Sequence, residues 1–270
     1  MESREKRVFS SFQEHRQEFV PKFPPSLHIE RKVSVKKEEY GVKEEVKPLF
    51  KTLLKEQGMP FVQLKADTEN GKTLKQQTPL KVGCVLSGGQ APGGHNVISG
   101  IYDMIKDIHQ DSTLYGFLKG PHGIFTGNFV EISDDFMNDY RNMGGFDMIR
   151  SGRDKIETQE QFEKSLKYCK SLDLDGLVVI GGDDSNTNAW LLAEYFKKQE
   201  SKCTVIGAPK TIDGDLKNEY CEVSFGFDTA TKTFSEEIGN ILVDTRSTKK
   251  YYHFIRLMGR SASHIALECY

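Results

Sequence analysis

Three short segments concentrate the residue types that handle phosphate, metal ions and protons. The first, Ser87-Gly-Gly-Gln-Ala-Pro-Gly-Gly-His-Asn96, carries four glycines directly after an apolar run. Glycines let the backbone approach a ligand closely, and a helix opening there offers unpaired N–H groups and a positive dipole end to a phosphate. It is neither G-x-G-x-x-G nor a Walker A loop, since the glycines come in two pairs and no Lys-Ser/Thr follows. A tight strand-to-helix turn would need the same glycines. The second segment, Gly181-Gly-Asp-Asp-Ser-Asn-Thr-Asn188, sets two carboxylates side by side at a helix start. The helix dipole explains one of them, and Ser185 or Asp184 could cap the helix. Two adjacent carboxylates repel unless a metal, a lysine or solvent screens them. The third, Pro209-Lys-Thr-Ile-Asp-Gly-Asp215, places Asp213 and Asp215 two residues apart beside Lys210. In an extended loop both would point to one side, one as base and one as metal or orienting group; a surface turn rich in Asp and Gly is the plainer alternative. A fourth segment closes on Met258-Gly-Arg260, whose arginine could grip a phosphate or sugar hydroxyl or be structural.

All four segments follow short apolar runs. KVGCVL at 81–86, TLYGFL at 113–118, GLVVIGG at 176–182, CTVIGAP at 203–209 and HFIRLMG at 253–259 read as buried strands bounded by glycine or proline. Between them, 94–110, 158–171, 185–199 and 228–245 carry apolar residues at helical spacing. In the last, Ala230, Phe234, Ile238, Ile241 and Thr245 share one face behind an Asp228 N-cap. This order predicts an α/β fold, a Rossmann-like, mostly parallel sheet with helices on both faces and ligands at the carboxyl ends of the strands. Three loops of that kind would bring a phosphate cradle, four carboxylates and a lysine to one edge. That is a kit for magnesium-assisted phosphoryl transfer, where catalysis is mainly positioning and charge neutralisation.

The chain of 270 residues is 37% hydrophobic and 28% charged, a globular composition. Its net charge of −2 gives no bulk electrostatic reason to expect nucleic acid or an anionic membrane as partner. No apolar run approaches the ~20 residues of a membrane span, and MESREKRVFSSFQEHR lacks the apolar stretch of a secretory signal, so a cytoplasmic protein is expected. Five widely spaced cysteines without a C-x-x-C pair read mostly as buried reduced thiols. Punctuation changes near residue 80, because residues 1–80 hold six of the nine prolines but only three of the 24 glycines. They also carry 16 basic against 12 acidic side chains, while the remainder carries 21 against 27. Residues 1–80 therefore read as a charged, partly helical extension and 81–270 as the chemistry-bearing domain. RKVSVKKEEYGVKEEVK reads as a solvated arm. Pro48-Leu-Phe-Lys-Thr-Leu-Leu-Lys55 reads as a short amphipathic helix whose apolar face could pack on the main domain.

Together, SGGQAPGGHN, GGDDSNTNA, PKTIDGD and MGR, in this order, resemble the phosphofructokinase family and specifically its pyrophosphate-dependent branch. FGFDTA at 225–230 and KYYHF at 250–254 add likeness to the catalytic, beta-type chains of that branch. The resemblance runs from Lys81 to the last residue. It implies the N-terminal half of the phosphofructokinase fold and a reversible transfer of a phosphoryl group from pyrophosphate to the 1-hydroxyl of fructose 6-phosphate. The products would be fructose 1,6-bisphosphate and phosphate, in glycolysis and gluconeogenesis, with Mg2+ as cofactor.

On the same resemblance Gly88 and Gly89 belong to the donor cradle, Asp183 to the metal site, and Asp213 is the proton acceptor. Thr211 and Ile212 line the sugar phosphate beside it, and Met258, Gly259 and Arg260 match the sugar-phosphate motif. Asp215 would support the metal or the base, and Arg153 in SGRDK would add a donor-phosphate contact. Lys250 and Tyr251 match positions that reach a neighbouring subunit's site, implying a homo-oligomer or an alpha/beta-type hetero-oligomer. The positions of Asp184 and Lys210 are small residues in the ATP-using branch. Here Asp184 would repel a nucleotide's α-phosphate while Lys210 neutralises the short donor and the charge of the transition state. An ATP-dependent 6-phosphofructokinase, a non-catalytic partner subunit and a dinucleotide-binding module are the competing readings. GGDD with PKTIDGD argues against the first, the retained carboxylates against the second, and the missing G-x-G-x-x-G against the third. The resemblance further implies that a second domain with more sugar-phosphate ligands lies beyond Tyr270, so that this chain holds the donor and metal site but turns over poorly alone.

Overall fold

A computed structural model describes residues 8–19, 32–38, 43–57, 61–66, 72–73, 78–216, 221, 224–259 and 263–270. Near the N-terminus, α1 (Ser11–Gln17) opens at Ser10, whose hydroxyl accepts from the Gln13 N–H while the Gln13 side chain accepts from the Ser10 N–H. That reciprocal cap is written into the S-x-x-Q spacing. Further on, β1 (Lys32–Glu38), β2 (Phe61–Ala66) and β3 (Lys72–Thr73) form an antiparallel sheet in the order β2-β1-β3, with Val33 opposite Ala66 and Glu38 opposite Phe61. The expected solvated arm is therefore corrected over 32–38. Its Lys-Val-Ser-Val-Lys alternation has a strand's period of two, and a second strand-forming run lies downstream to pair with it. The expected short helix is present: Lys47–Phe50 makes a 3-10 turn with Pro48 in its first turn, and α2 (Lys51–Gln57) continues it.

From residue 81 the chain builds a second sheet from β4 (Lys81–Ser87), β5 (Thr113–Phe117), β6 (Phe129–Ile132), β7 (Ser151–Gly152), β8 (Gly176–Gly181) and β9 (Thr204–Pro209). Their order is β6-β5-β4-β8-β9, with β7 beside the end of β4. Every pairing is parallel except β5 with β6. The four strands expected at 81–86, 113–118, 176–182 and 203–209 are thus found. Alternation in β4 sends Val82, Cys84 and Leu86 into one core and Val85 into the other. The first core is closed by Ile98, Tyr102 and Ile105 of α3 (Gly94–Ile108), the second by Ile124 of α4 (Pro121–Thr126). Phe136 and Met137 of α5 (Asp134–Asn138) join the first; Leu166 and Cys169 of α6 (Gln159–Ser171) and Leu192 and Phe196 of α7 (Asp183–Lys198) join the second. Helices therefore cover both faces of a mostly parallel sheet. No helix among the described residues is long and apolar enough to cross a membrane.

Two local expectations fail near the C-terminus. HFIRLMG is not a strand: 251–259 runs without a ladder, and Tyr252 and Phe254 are 94% and 97% exposed. A strand needs a hydrogen-bonded neighbour, and none of the described residues supplies one. In α8 (Phe227–Thr248) the cap is Gly226, so Asp228 sits in the first turn, where its charge suits the dipole without capping it. The face of α8 holding Ala230, Phe234, Ile238, Ile241 and Thr245 is its less exposed side, as its spacing requires. The short α9 (His264–Glu268) buries Ile265. No disulfide joins the cysteines; Cys84, Cys169, Cys203 and Cys269 are buried, and burial pushes the Cys84 thiol up to about 12.

The extension is fastened to the sheet domain through α7. Phe50 is 2% exposed and stacks on Trp190 with ring centroids 4.1 Å apart. One α7 turn beyond Trp190, the Glu194 carboxylate accepts the N–H groups of Thr52 at 2.7 Å and Leu53 at 2.8 Å. These are orphan donors of a helix start, satisfied here by another helix. Trp190 is the one tryptophan of the chain, so its emission reports this contact. Phe50→Ala is expected to red-shift that emission and to lower stability in urea titration by about 3 kcal/mol; an unchanged emission maximum would show that the stack does not hold in solution.

Candidate functional site

β4, β8 and β9 are adjacent and parallel, so the three chemistry-bearing loops leave the sheet at one edge. The first loop turns through Gly88 and Gly93, whose φ values of +86° and +102° lie in the left-handed region that a side chain strains to enter. Gly93 then serves as the N-cap of α3. His95, the second residue of α3, is buried, its Nε2 accepts from the Gly144 N–H at 3.3 Å, and burial holds its pKa below the ordinary value. In the second loop Gly182 is the N-cap of α7 and makes no side-chain cap bond, leaving Asp183 and Asp184 exposed in the first turn. Neither Ser185 nor Asp184 caps the helix. Ser185 Oγ instead donates to Ser87 Oγ at 2.8 Å and ties the second loop to the first.

Lys210, just after β9, links the third loop to both others. Its backbone N–H donates to Gly181 O at 2.8 Å, and its Nζ donates to Gly89 O at 2.6 Å. It is 6% exposed, and burial, then the nearby Arg153 guanidinium, lower its pKa against the pull of Asp213. Of the two conformations the sequence left open, the loop takes the turn, bending through Gly214 at φ +70°. Asp213 donates its N–H to Thr211 Oγ1 at 3.0 Å, and Thr211 Oγ1 lies 3.4 Å from Asp215 Oδ1. The Ser224 hydroxyl, donating to Thr211 O at 2.7 Å, anchors the loop from the segment that leads into α8.

A cavity of about 660 Å³ opens between these loops. Gly88 and Gly89 line it from the first loop, Asp183 and Asp184 from the second, and Lys210, Thr211, Ile212, Asp213 and Asp215 from the third. Arg153 and, from the fourth segment, Met258 and Gly259 complete the wall. Arg260 lies outside the described residues. Lys250 and Tyr251 do not reach this cavity; Tyr251 is 61% exposed with the Lys250 ammonium 5.3 Å from its ring centre. Residues that the sequence did not single out also contribute. Lys155 Nζ stands 3.5 Å from Asp184 Oδ1, and it was legible only as the second residue after Arg153 in SGRDK. Nothing in the local sequence marked Ser224.

The arrangement sets cations, Arg153 and Lys210, beside a glycine loop, with carboxylates across the same cavity. The cationic side of the site suits a compact polyanion, and the carboxylates, which need a counter-cation of their own, offer a proton acceptor nearby. Magnesium takes hard oxygen ligands and commonly keeps waters and phosphate oxygens beside one or two carboxylates. The exposed Asp183 carboxylate on the cavity wall fits that habit, and among the described residues no group of three or more His, Cys, Asp or Glu converges into an all-protein cage.

The model of the family described as Phosphofructokinase matches residues 81–269. The pyrophosphate–fructose 6-phosphate 1-phosphotransferase subunit beta of Solanum tuberosum is 58% identical over 229 residues, which are 85% of this chain and 39% of that one. The pyrophosphate–fructose 6-phosphate 1-phosphotransferase of Porphyromonas gingivalis is 50% identical over 256 residues, 94% of this chain and 45% of its own. Among solved structures, the pyrophosphate-dependent phosphofructokinase of Nitrosospira multiformis shares the fold with a TM-score of 0.62 at 19% identity, covering 70% of this chain and 48% of that one. The chain thus spans less than half the length of these relatives. With the glycine loop, the carboxylate pair and the buried lysine lying inside the matched region, the chain belongs to the phosphofructokinase family.

Proposed function

We propose that this chain carries the donor side of a pyrophosphate-dependent phosphofructokinase, which transfers a phosphoryl group reversibly from pyrophosphate to the 1-hydroxyl of fructose 6-phosphate. The observation that carries the reading is the convergence of SGG, GGDD, KTIDGD and Met258-Gly259 on one cavity. Gly88, Gly89 and Arg153 cradle the donor, and Lys210 meets its charge as it grows in the transition state. Asp213, held by Thr211 and half-buried, accepts the proton of the 1-hydroxyl as that oxygen attacks phosphorus. The bond from phosphorus to the bridging oxygen breaks and phosphate leaves. Magnesium, when bound, supplies charge neutralisation to the phosphoryl oxygens, and Asp183 is the residue that would hold it, with Asp215 supporting the metal or the base. Ile212, Met258, Gly259 and Arg260 would face the sugar phosphate.

Donor choice rests on Asp184, whose carboxylate would crowd and repel the α-phosphate of a nucleotide. The name of the potato relative, a subunit, supports an assembly. In such an assembly, a homo-oligomer or an alpha/beta-type hetero-oligomer of the cytoplasm, Lys250 and Tyr251 would act on a neighbour. Residues 81–270 would then be the N-terminal part of the catalytic domain and 1–80 an extension to it.

Formation of fructose 1,6-bisphosphate by the gene product, measured with fructose 6-phosphate and magnesium, is expected with pyrophosphate and not with ATP. Equal formation with ATP would overturn the reading, as would no formation combined with no rise in melting temperature on adding magnesium pyrophosphate. Asp213→Ser is expected to cut turnover by about a hundredfold or more while the pyrophosphate-induced rise in melting temperature persists; near-normal turnover would remove Asp213 from the base role. Lys210 adds a pH signature. In the free site its pKa is lowered, and a bound anion raises it again, so binding takes up a proton on the alkaline side of neutrality. Calorimetry in buffers of different ionisation heat should show that uptake in the wild type and a smaller one in Lys210→Met.

A further inference from the structure

The Gly88–Gly89 peptide is a thin wall, and the structure shows what turns it. It also borders a second cavity of about 480 Å³, which includes Phe146, Arg150 and Ser151 and shares Gly88, Gly89, Gln90 and Arg153 with the first. Ser151 Oγ donates to Gly88 O at 2.7 Å, with a longer contact to Leu86 O at 3.2 Å. The carbonyl and N–H of a trans peptide point in opposite directions. Holding Gly88 O toward Ser151, which lines the smaller cavity and not the larger one, therefore turns the Gly89 N–H to the opposite side of the peptide.

Two further observations single out that amide. The Gly88 N–H is already engaged by Gly152 O at 2.9 Å, whereas the Gly89 N–H has no acceptor among the described residues. The Arg153 guanidinium stands close by, since a Cβ built on Gly89 would come within 3.3 Å of its Nη2. An unpaired amide beside a guanidinium and an ammonium is an oxyanion site in kind. The two-residue β7 explains how it arises. Pairing Ser151 with Leu86 and Gly152 with Ser87, it occupies the Gly88 amide, sets the Ser151 hydroxyl under the loop and places Arg153 next to it.

We propose that Ser151 is a positioning residue, whose hydroxyl fixes the Gly88–Gly89 peptide so that the Gly89 amide, and not that of Gly88, meets an oxygen of the donor phosphate. The proposal rests on the pyrophosphate reading above, and the experiment separates the two. The chain, labelled with 15N-glycine, is titrated with magnesium pyrophosphate while the Gly89 amide is followed by NMR and affinity is measured by calorimetry. The wild type is expected to show a downfield shift of the Gly89 amide proton at saturation. Ser151→Ala should bind magnesium pyrophosphate about tenfold more weakly and lose most of the shift, as expected for one ordering hydrogen bond. Ser151→Thr, which keeps the hydroxyl, should recover both. Should Ser151→Ala be too unstable to purify, the wild-type resonance and Ser151→Thr still decide: an unmoved Gly89 amide at saturating ligand overturns the proposal. Wild-type affinity in Ser151→Ala overturns it too while leaving the pyrophosphate reading intact. No binding by the wild type removes that reading and this proposal together.

Discussion

The bond from Lys210 Nζ to Gly89 O, 2.6 Å long, is the interaction on which the rest of the site hangs. An ammonium taken out of water is stranded at a cost of several kcal/mol unless something satisfies it. Here the partner is a carbonyl from another loop, so the first and third loops cannot part without exposing the cation to that penalty. The backbone of the same residue is bound to the end of β8, which brings the second loop into the same lock. Proximity of Arg153 makes the arrangement tense, because two cations share a half-enclosed space. A polyanion entering between them relieves the repulsion and offers Lys210 a better acceptor than a carbonyl.

Around this lock the structure divides into a firm frame and a loose working edge. Arg141 grips Asp103 of α3 with two hydrogen bonds of 2.8 Å, and both side chains are largely covered. Bidentate geometry and partial burial make that pair a real fastening between α3 and the segment that leads to β7. The pair between Lys155 and Asp184, by contrast, spans 3.5 Å with side chains 50% and 77% exposed. Pairs of that kind contribute about 0–1 kcal/mol. Asp184 is thus held in place by its position in the first turn of α7 far more than by its partner, and it can meet whatever approaches the cavity.

Much of this was legible in the sequence. Runs such as GLVVIGG identify themselves because a strand buried on both faces must be apolar at every position, and the glycines that end them cannot be mistaken. The convergence of three loops followed from parallel strands alone. What was missed depended on partners remote in the chain. HFIRLMG has a strand's composition and no neighbour to pair with, while Lys32–Glu38 looked like a charged arm yet found Phe61–Ala66. The Asp228 cap failed because Gly226, two residues earlier, could take the left-handed conformation that starts α8 there. Ser151 and Ser224 escaped notice for another reason. A lone serine carries no pattern, and only the fold shows which carbonyl it faces.

The seating of α2 on Glu194 has a consequence for variation. A carboxylate that reads two backbone N–H groups is indifferent to the side chains of Thr52 and Leu53, so those positions are free to drift without loosening the contact. Glu194 has no such liberty, since a shorter side chain leaves two helix-start donors unanswered and a neutral amide, with one acceptor oxygen, faces one of them with a donor. A residue-by-residue truncation survey of the extension would consequently register Phe50 and overlook the main-chain half of the same attachment.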